Sequence, residues 1–109
     1  IGENRHRKNI FEKTEALQKW FSRRRDMKVR VRILERITAA ELGNFGDCAP
    51  VGDGVFEMRI HFGPGYRVYY ARKGDIVYLL LAGGDKKTQR GDIRRARLLW
   101  KNFKGGARG

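Results

Sequence analysis

The sequence predicts an α+β fold: a small antiparallel sheet with two N-terminal helices packed on one face and a C-terminal helix. Residues 55–62 alternate without a break, Phe56, Met58, Ile60 and Phe62 against Glu57, Arg59 and His61. That is the period-two signature of a strand with one buried face. Before it, Leu17, Trp20 and Phe21, then Val29, Ile33, Ile37 and Ala40, recur at helical spacing. After it, Ile93, Ala96, Trp100 and Phe103 follow the i, i+3, i+7, i+10 pattern of an amphipathic helix.

A chain of 109 residues is one domain by length. The sequence divides it into a flexible basic segment over 1–9, a domain over 10–103 and a flexible tail over 104–109 that ends Gly-Gly-Ala-Arg-Gly. Ile10, Phe11 and Glu12 form a short first strand, and Thr14 caps a helix over 15–25. The segment 27–42 begins with a strand-like alternation at Val29 to Ile33, but its length favours a helix, which Gly43 and Asn44 stop. Residues 43–54 hold four glycines and a proline and are expected to form an exposed loop.

Gly63-Pro64-Gly65 then turns the chain into a strand over 66–72, and Lys73-Gly74 turns it again into 76–82. That last strand is apolar on both faces, as for a strand covered on both sides. Thr88 caps the final helix, with Gly91 weakening its first turn. The order of elements sets the helices against one face of an antiparallel meander.

Lys and Arg number 25 against 12 Asp and Glu, a net charge of +13, so a polyanionic partner is the simplest reason to carry the self-repulsion. The charge is uneven. Residues 1–36 carry twelve basic against five acidic groups, 37–83 four against five, and 84–109 nine against two. Basic helices around a near-neutral sheet suit a partner gripped at the periphery, while the sheet face handles a local chemical event. No apolar run or leader suggests a membrane span or export, so the chain reads as cytoplasmic. Cys48 has no partner for a disulfide and, with only His6 and His61, no zinc-ligand spacing. It reads as an ordinary loop thiol, and no metal or cofactor is expected.

If the Gly63–Gly65 loop pairs Phe62 with Tyr66, His61 lies opposite Arg67, Arg59 opposite Tyr69 and Glu57 opposite Ala71. A two-residue turn at Lys73-Gly74 adds Tyr78 beside Tyr69 and Leu80 beside Arg67. A carboxylate, two guanidiniums and an imidazole then share one face with two tyrosines. Cleavage of an RNA backbone through its own 2′-hydroxyl needs such a set: a base for the hydroxyl proton and fixed cations for the charge growing on the five-coordinate phosphate. Tyr69 or Tyr78 is available to stack an unpaired base. Taken singly, alternating charges on an open strand face are equally an ion network.

Four strings, GNFGD (43–47), GVFEMRI (54–60), GPGYRVYY (63–70) and LLLAGGDKKTQRGDI (79–93), in this order resemble the killer proteins of the RelE/ParE toxin superfamily. The resemblance is to the subgroup related to HigB and to phage Gp49-like proteins, and it spans residues 10–103. It implies a RelE-like fold, insertion into the ribosomal A site and metal-independent cutting of messenger RNA there. Arg59 and Arg67 match the basic positions of ribosome-dependent members. Glu57 stands where RelE has a lysine, and no Tyr or His occupies the C-terminal position that several active relatives use, where this chain has Lys86, Lys87, Thr88 and Gln89.

The candidate catalytic set is therefore Glu57, Arg59, Arg67 and Lys86, with His61, Tyr69, Lys87, Gln89, Arg94, Arg95 and Arg97 on the RNA. By resemblance the partners are the ribosome with its messenger and a cognate antitoxin, typically a small helix-turn-helix protein. Two other functions stay open at this point. One is ParE-like inhibition of DNA gyrase without nuclease activity, and the other is a basic nucleic-acid-binding module without catalysis.

Overall fold

A computed structural model describes residues 8–106. The chain runs β1 (Ile10–Lys13), α1 (Glu15–Ser22), α2 (Met27–Glu41), β2 (Cys48–Gly52), β3 (Val55–Ile60), β4 (Tyr66–Arg72), β5 (Val77–Asp85) and α3 (Gln89–Gly106). The five strands form one sheet in the order β1-β5-β4-β3-β2. Only the β1–β5 pair is parallel; the other three pairs are antiparallel. The α+β class expected from the sequence holds.

The helices divide between the two faces of the sheet, where one face was expected. Leu17 of α1 and Val29, Ile33, Ile37 and Ala40 of α2 pack with Met58, Ile60, Val68, Tyr70 and Leu80. On the opposite face, Ala96 and Trp100 of α3 pack with Val55, Tyr69, Ala71, Leu79, Leu81 and Ala82. This is why β5 is apolar on both sides: it lies between two cores.

Thr14 caps α1 by accepting from the Leu17 backbone N–H at 3.1 Å. The helix ends at Ser22 rather than 25, because the Arg23 and Arg24 N–H groups close its last turn and Asp26 caps the next helix, accepting from Lys28 N–H at 2.9 Å. Gly43, at φ +94°, stops α2 as expected. Asn9, placed by the sequence in the flexible segment, donates to the carbonyls of Ala40 and Glu41. Residues 104–106, expected in the tail, form the last turn of α3. The rest of both expected flexible segments, 1–7 and 107–109, lies outside the described residues.

The expected loop at 43–54 contains a strand. β2 is an edge strand, where Pro50 forfeits no ladder bond a second neighbour would need. Its glycines serve a tight hairpin instead: Gly52, Asp53 and Gly54 all have positive φ. Cys48 is thus a half-buried strand residue, with its thiol donating to the Phe45 carbonyl, rather than a loop thiol.

Two registers differ from expectation. β3 leaves the ladder after Ile60, which pairs with Tyr66, so Arg59 faces Arg67 and Glu57 faces Tyr69. The displacement is two residues, which preserves the face of every side chain. Between β4 and β5 the connection spans 73–76 and sets Tyr78 opposite Arg72, and a bulge at Tyr69/Tyr70 then sets Gly84 opposite Arg67. Tyr78 therefore belongs to the α1/α2 face, stacked 5.1 Å from Phe11, and not to the charged patch.

β5 extends to Asp85 because two glycines leave room on either side of it. A Cβ on Gly83 would lie 2.2 Å from the Trp20 ring, and one on Gly84 1.7 Å from Asp92 Oδ2. Neither position tolerates a side chain without moving α1 or α3. Trp100, 8 % exposed and stacked 5.8 Å from Phe103, is the main apolar anchor of α3. Trp100→Ala is expected to destabilise the protein by roughly 3–5 kcal/mol, read as a lowered midpoint in chemical denaturation; an unchanged midpoint would detach α3 from the core.

Candidate functional site

Glu57 is fully buried and is the organising group of the charged face. Its Oε1 accepts from Arg59 Nε at 3.0 Å. Its Oε2 accepts from Gln89 Nε2 at 2.6 Å and from the Tyr69 hydroxyl at 3.1 Å, with Arg67 Nε 3.7 Å away. Burial pushes the carboxyl pKa upward, but the bonds from Gln89, Arg59 and Tyr69 and the Arg67 charge outweigh it, leaving the group below its ordinary value. Tyr69 is pushed the other way, by burial and by the adjacent carboxylate.

This geometry revises three sequence expectations. Glu57, a candidate general base, is inaccessible, has both oxygens occupied and has lost basicity; it positions Arg59 and Arg67 instead. Tyr69, expected to stack a base, has no exposed surface and its hydroxyl is bound to Glu57. Gln89, expected on the RNA, gives one of its two amide N–H donors to the same carboxylate.

Arg59 is partly exposed and also reaches Asp47, Nη1 to Oδ1 at 3.5 Å. Asp47 Oδ2 lies 2.6 Å from His61 Nε2, so Asp47 joins the imidazole to the arginine. The hydrogen bond to His61 is the main reason its carboxyl stays below the usual range. Arg36 fixes the loop that carries Asp47, donating from Nη2 to the Phe45 carbonyl at 2.6 Å and from Nη1 to the Arg59 carbonyl. Gly46, at φ +63°, lies directly against that guanidinium, where a Cβ would be 2.9 Å from Nη2. Sequence reasoning missed Asp47 and Arg36. Asp47 lies in the GNFGD string, within the expected loop, and nothing in the sequence sets Arg36 apart from the other basic residues of its helix.

Arg67 donates from Nη1 to the Gly65 carbonyl at 2.7 Å and its side chain is 13 % exposed, while its buried Nε has no hydrogen-bond partner. With His61, Phe62 and Lys86 it lines an open groove of about 450 Å³ along the β3–β4 loop. His61 is 75 % exposed at this groove. The fold therefore brings His61, Arg67 and Lys86 together and holds Arg59 beside them through Asp47 and Glu57.

The remaining expected RNA contacts lie elsewhere. Lys87 and Arg95 line a second cavity at the start of α3, where Arg95 is paired with the buried Asp92. Arg94 and Arg97 line a third, on the outer side of α3, where Arg97 binds Asp53 at 2.9–3.0 Å. Among the described residues no three His, Cys, Asp or Glu side chains converge as a metal would require. No helix among them is long and apolar enough to cross a membrane.

The model of the family described as phage derived protein Gp49-like (DUF891) matches residues 19–103, and the chain belongs to this family, which is associated with toxin–antitoxin systems. An uncharacterised protein of Haemophilus influenzae is 43 % identical over 86 residues, covering 79 % of this chain and 87 % of that protein. No solved structure matches.

Because the folded-state pKa of Glu57 is depressed, its charge stabilises the fold above its ordinary value of 4.5. That contribution is lost as pH falls below 4.5 and through the folded-state value. Glu57→Gln is expected to lower stability at pH 7 by roughly 1–3 kcal/mol and to flatten the acid limb of a stability–pH curve. An acid limb identical to wild type would show that the carboxylate is not the titrating anchor.

Proposed function

We propose that this protein is the toxin of a toxin–antitoxin pair and cuts messenger RNA on the ribosome, using the RNA's own 2′-hydroxyl as nucleophile. The observation that carries this reading is the groove in which an Asp47-held imidazole faces Arg67 and Lys86. Membership of the Gp49-like family and the net charge of +13 support it.

In the proposed reaction the His61 nitrogen not bound to Asp47 takes the 2′-hydroxyl proton. The 2′-oxygen attacks the adjacent phosphorus, and the bond to the 5′-oxygen breaks. Lys86 supplies the leaving oxygen with its proton. Arg67, with Arg59 behind it, stabilises the charge on the five-coordinate phosphate. The products are a 2′,3′-cyclic phosphate and a free 5′-hydroxyl, with no metal in the step. Asp47 fixes the imidazole as an orienting carboxylate does in a catalytic triad, and Glu57 does the same for the arginines. The cognate antitoxin, expected to be a small helix-turn-helix protein, silences this activity.

Arg67→Ala is expected to reduce cleavage about 10²–10³-fold while the fold persists, because Glu57 keeps Arg59, Tyr69 and Gln89. Full cleavage by a folded Arg67→Ala protein would remove Arg67 from the reaction.

Programmed ribosomes carrying an A-site codon with 2′-methoxy groups should resist cutting, and natural messenger should yield 5′-hydroxyl ends. Equal cutting of both messengers, or 5′-phosphate ends, would overturn the mechanism. Growth arrest with neither messenger cut would turn the reading toward gyrase, to be tested on supercoiled DNA.

A further inference from the structure

We propose that the cavity between α1 and the start of α3 is a second RNA subsite, which holds the unpaired nucleotide next to the one at the His61–Arg67–Lys86 groove. The inference rests on the RNA reading above. The cavity has a volume of about 490 Å³, and Arg24, Lys87, Arg90 and Arg95 line it together with Trp20 and the Gly83–Asp85 strand end. Both carboxylates in it are engaged. Asp85 accepts from Thr88 N–H at 3.1 Å, and the buried Asp92 binds Thr88 and Arg95. Among the described residues no carboxylate pairs with Arg24, Lys87 or Arg90. Three cations facing one open cavity are an anion site.

The site also has a prepared planar surface. Trp20 lies flat on Gly83, where any side chain would collide with it. Arg24 is held over the indole, its guanidinium carbon 5.0 Å from the ring centroid and its Nε donating to the Trp20 carbonyl at 3.2 Å. A guanidinium plane backed by an aromatic ring is a platform on which a nucleic-acid base stacks. Phosphate bound by Lys87 and Arg90, with a base on Arg24, matches one nucleotide.

Continuity with the groove comes from sequence and packing. Lys86 lines the groove and Lys87 the cavity, on Cα atoms about 3.8 Å apart. The Tyr66 ring, 6.2 Å from Trp20 of the cavity, also lies near Gly63 of the groove, where a Cβ would be 3.5 Å from its Cε2. This gives the Ala-Gly-Gly-Asp-Lys-Lys segment a role: its glycines admit Trp20 and Asp92, and its lysines serve one subsite each.

The test uses the full chain and a fluorescein-labelled single-stranded RNA hexamer with 2′-methoxy groups throughout, so that binding is read by anisotropy without cutting. Arg24→Ala and Lys87→Ala should each weaken binding roughly tenfold, whereas Lys28→Ala, the same charge loss on α2, should change it less than twofold. Arg24→Lys, which keeps the charge but not the plane, should fall between wild type and Arg24→Ala. Equal losses in all three alanine variants, or none in Arg24→Ala and Lys87→Ala, would overturn the subsite. Displacement of the hexamer by a polyglutamate peptide of equal charge as effectively as by unlabelled RNA would overturn the RNA assignment. Messenger cutting is scored separately on ribosomes. Site-specific binding loss without any cutting by wild type leaves the subsite and removes the nuclease reading. Cutting by wild type and Arg24→Ala at equal rate and position removes the subsite alone.

Discussion

A carboxylate with no solvent contact costs several kcal/mol unless donors replace its water, and at Glu57 three side chains donate to it while a fourth lends its charge. These partners come from β3, β4 and the first turn of α3, so one buried charge ties both strands to the helix on that face. It also directs two guanidiniums toward the same edge of the sheet. Without an anion between them, Arg59 and Arg67, directly paired across β3 and β4, would repel each other and splay into solvent. With it they are held side by side, and a positive field remains for a phosphate.

The same device recurs at two more exposed carboxylates and at the buried Asp92. Asp47 holds His61 and Arg59, Asp53 holds Arg97, and Asp92 holds Arg95. In a chain with about two basic groups for each acidic one, acids are scarce, and most of these sit beside a cation that lines a groove. They orient charge more than they reduce it. The near-neutral composition of residues 37–83 is therefore the supporting layer of the charged face, and the excess positive charge of the helices and ends lies around it.

The elements were legible wherever a single period governed the sequence. The alternation at 55–60, the helical stripe from Val29 to Ala40 and the two-sided apolar run of β5 each identify an element and its buried face. The charged face was legible too, since a two-residue error in pairing cannot move a side chain across a sheet. What was lost depended on irregular backbone. The connection over 73–76, longer than a two-residue turn, displaces the pairing by three residues and carries Tyr78 to the other face, and no pattern of residue types announces it. β2 hid behind glycines that serve its hairpin, and Asp47 hid in the loop before it. Depth was lost as well: alternation assigns Glu57, Tyr69 and His61 to one face but does not show that α3 covers the first two and leaves the third open.

That difference in depth decides which group is suited to move a proton. Glu57 has depressed basicity, no exposed surface and three donors already on its two oxygens, so it is poorly placed to take a proton from a bound ribose while it orients the arginines. His61 is an exposed ring at the groove, with one nitrogen held by Asp47. Exposure carries its own cost, because water screens Arg67 and Lys86 and weakens what they contribute to a developing charge. On the proposed reading a surface that covers the groove removes that screening, excludes competing water and strengthens every interaction in it. On that reading a groove this open is a poor catalyst for free RNA, and it becomes effective when a large polyanionic partner such as the ribosome closes over it.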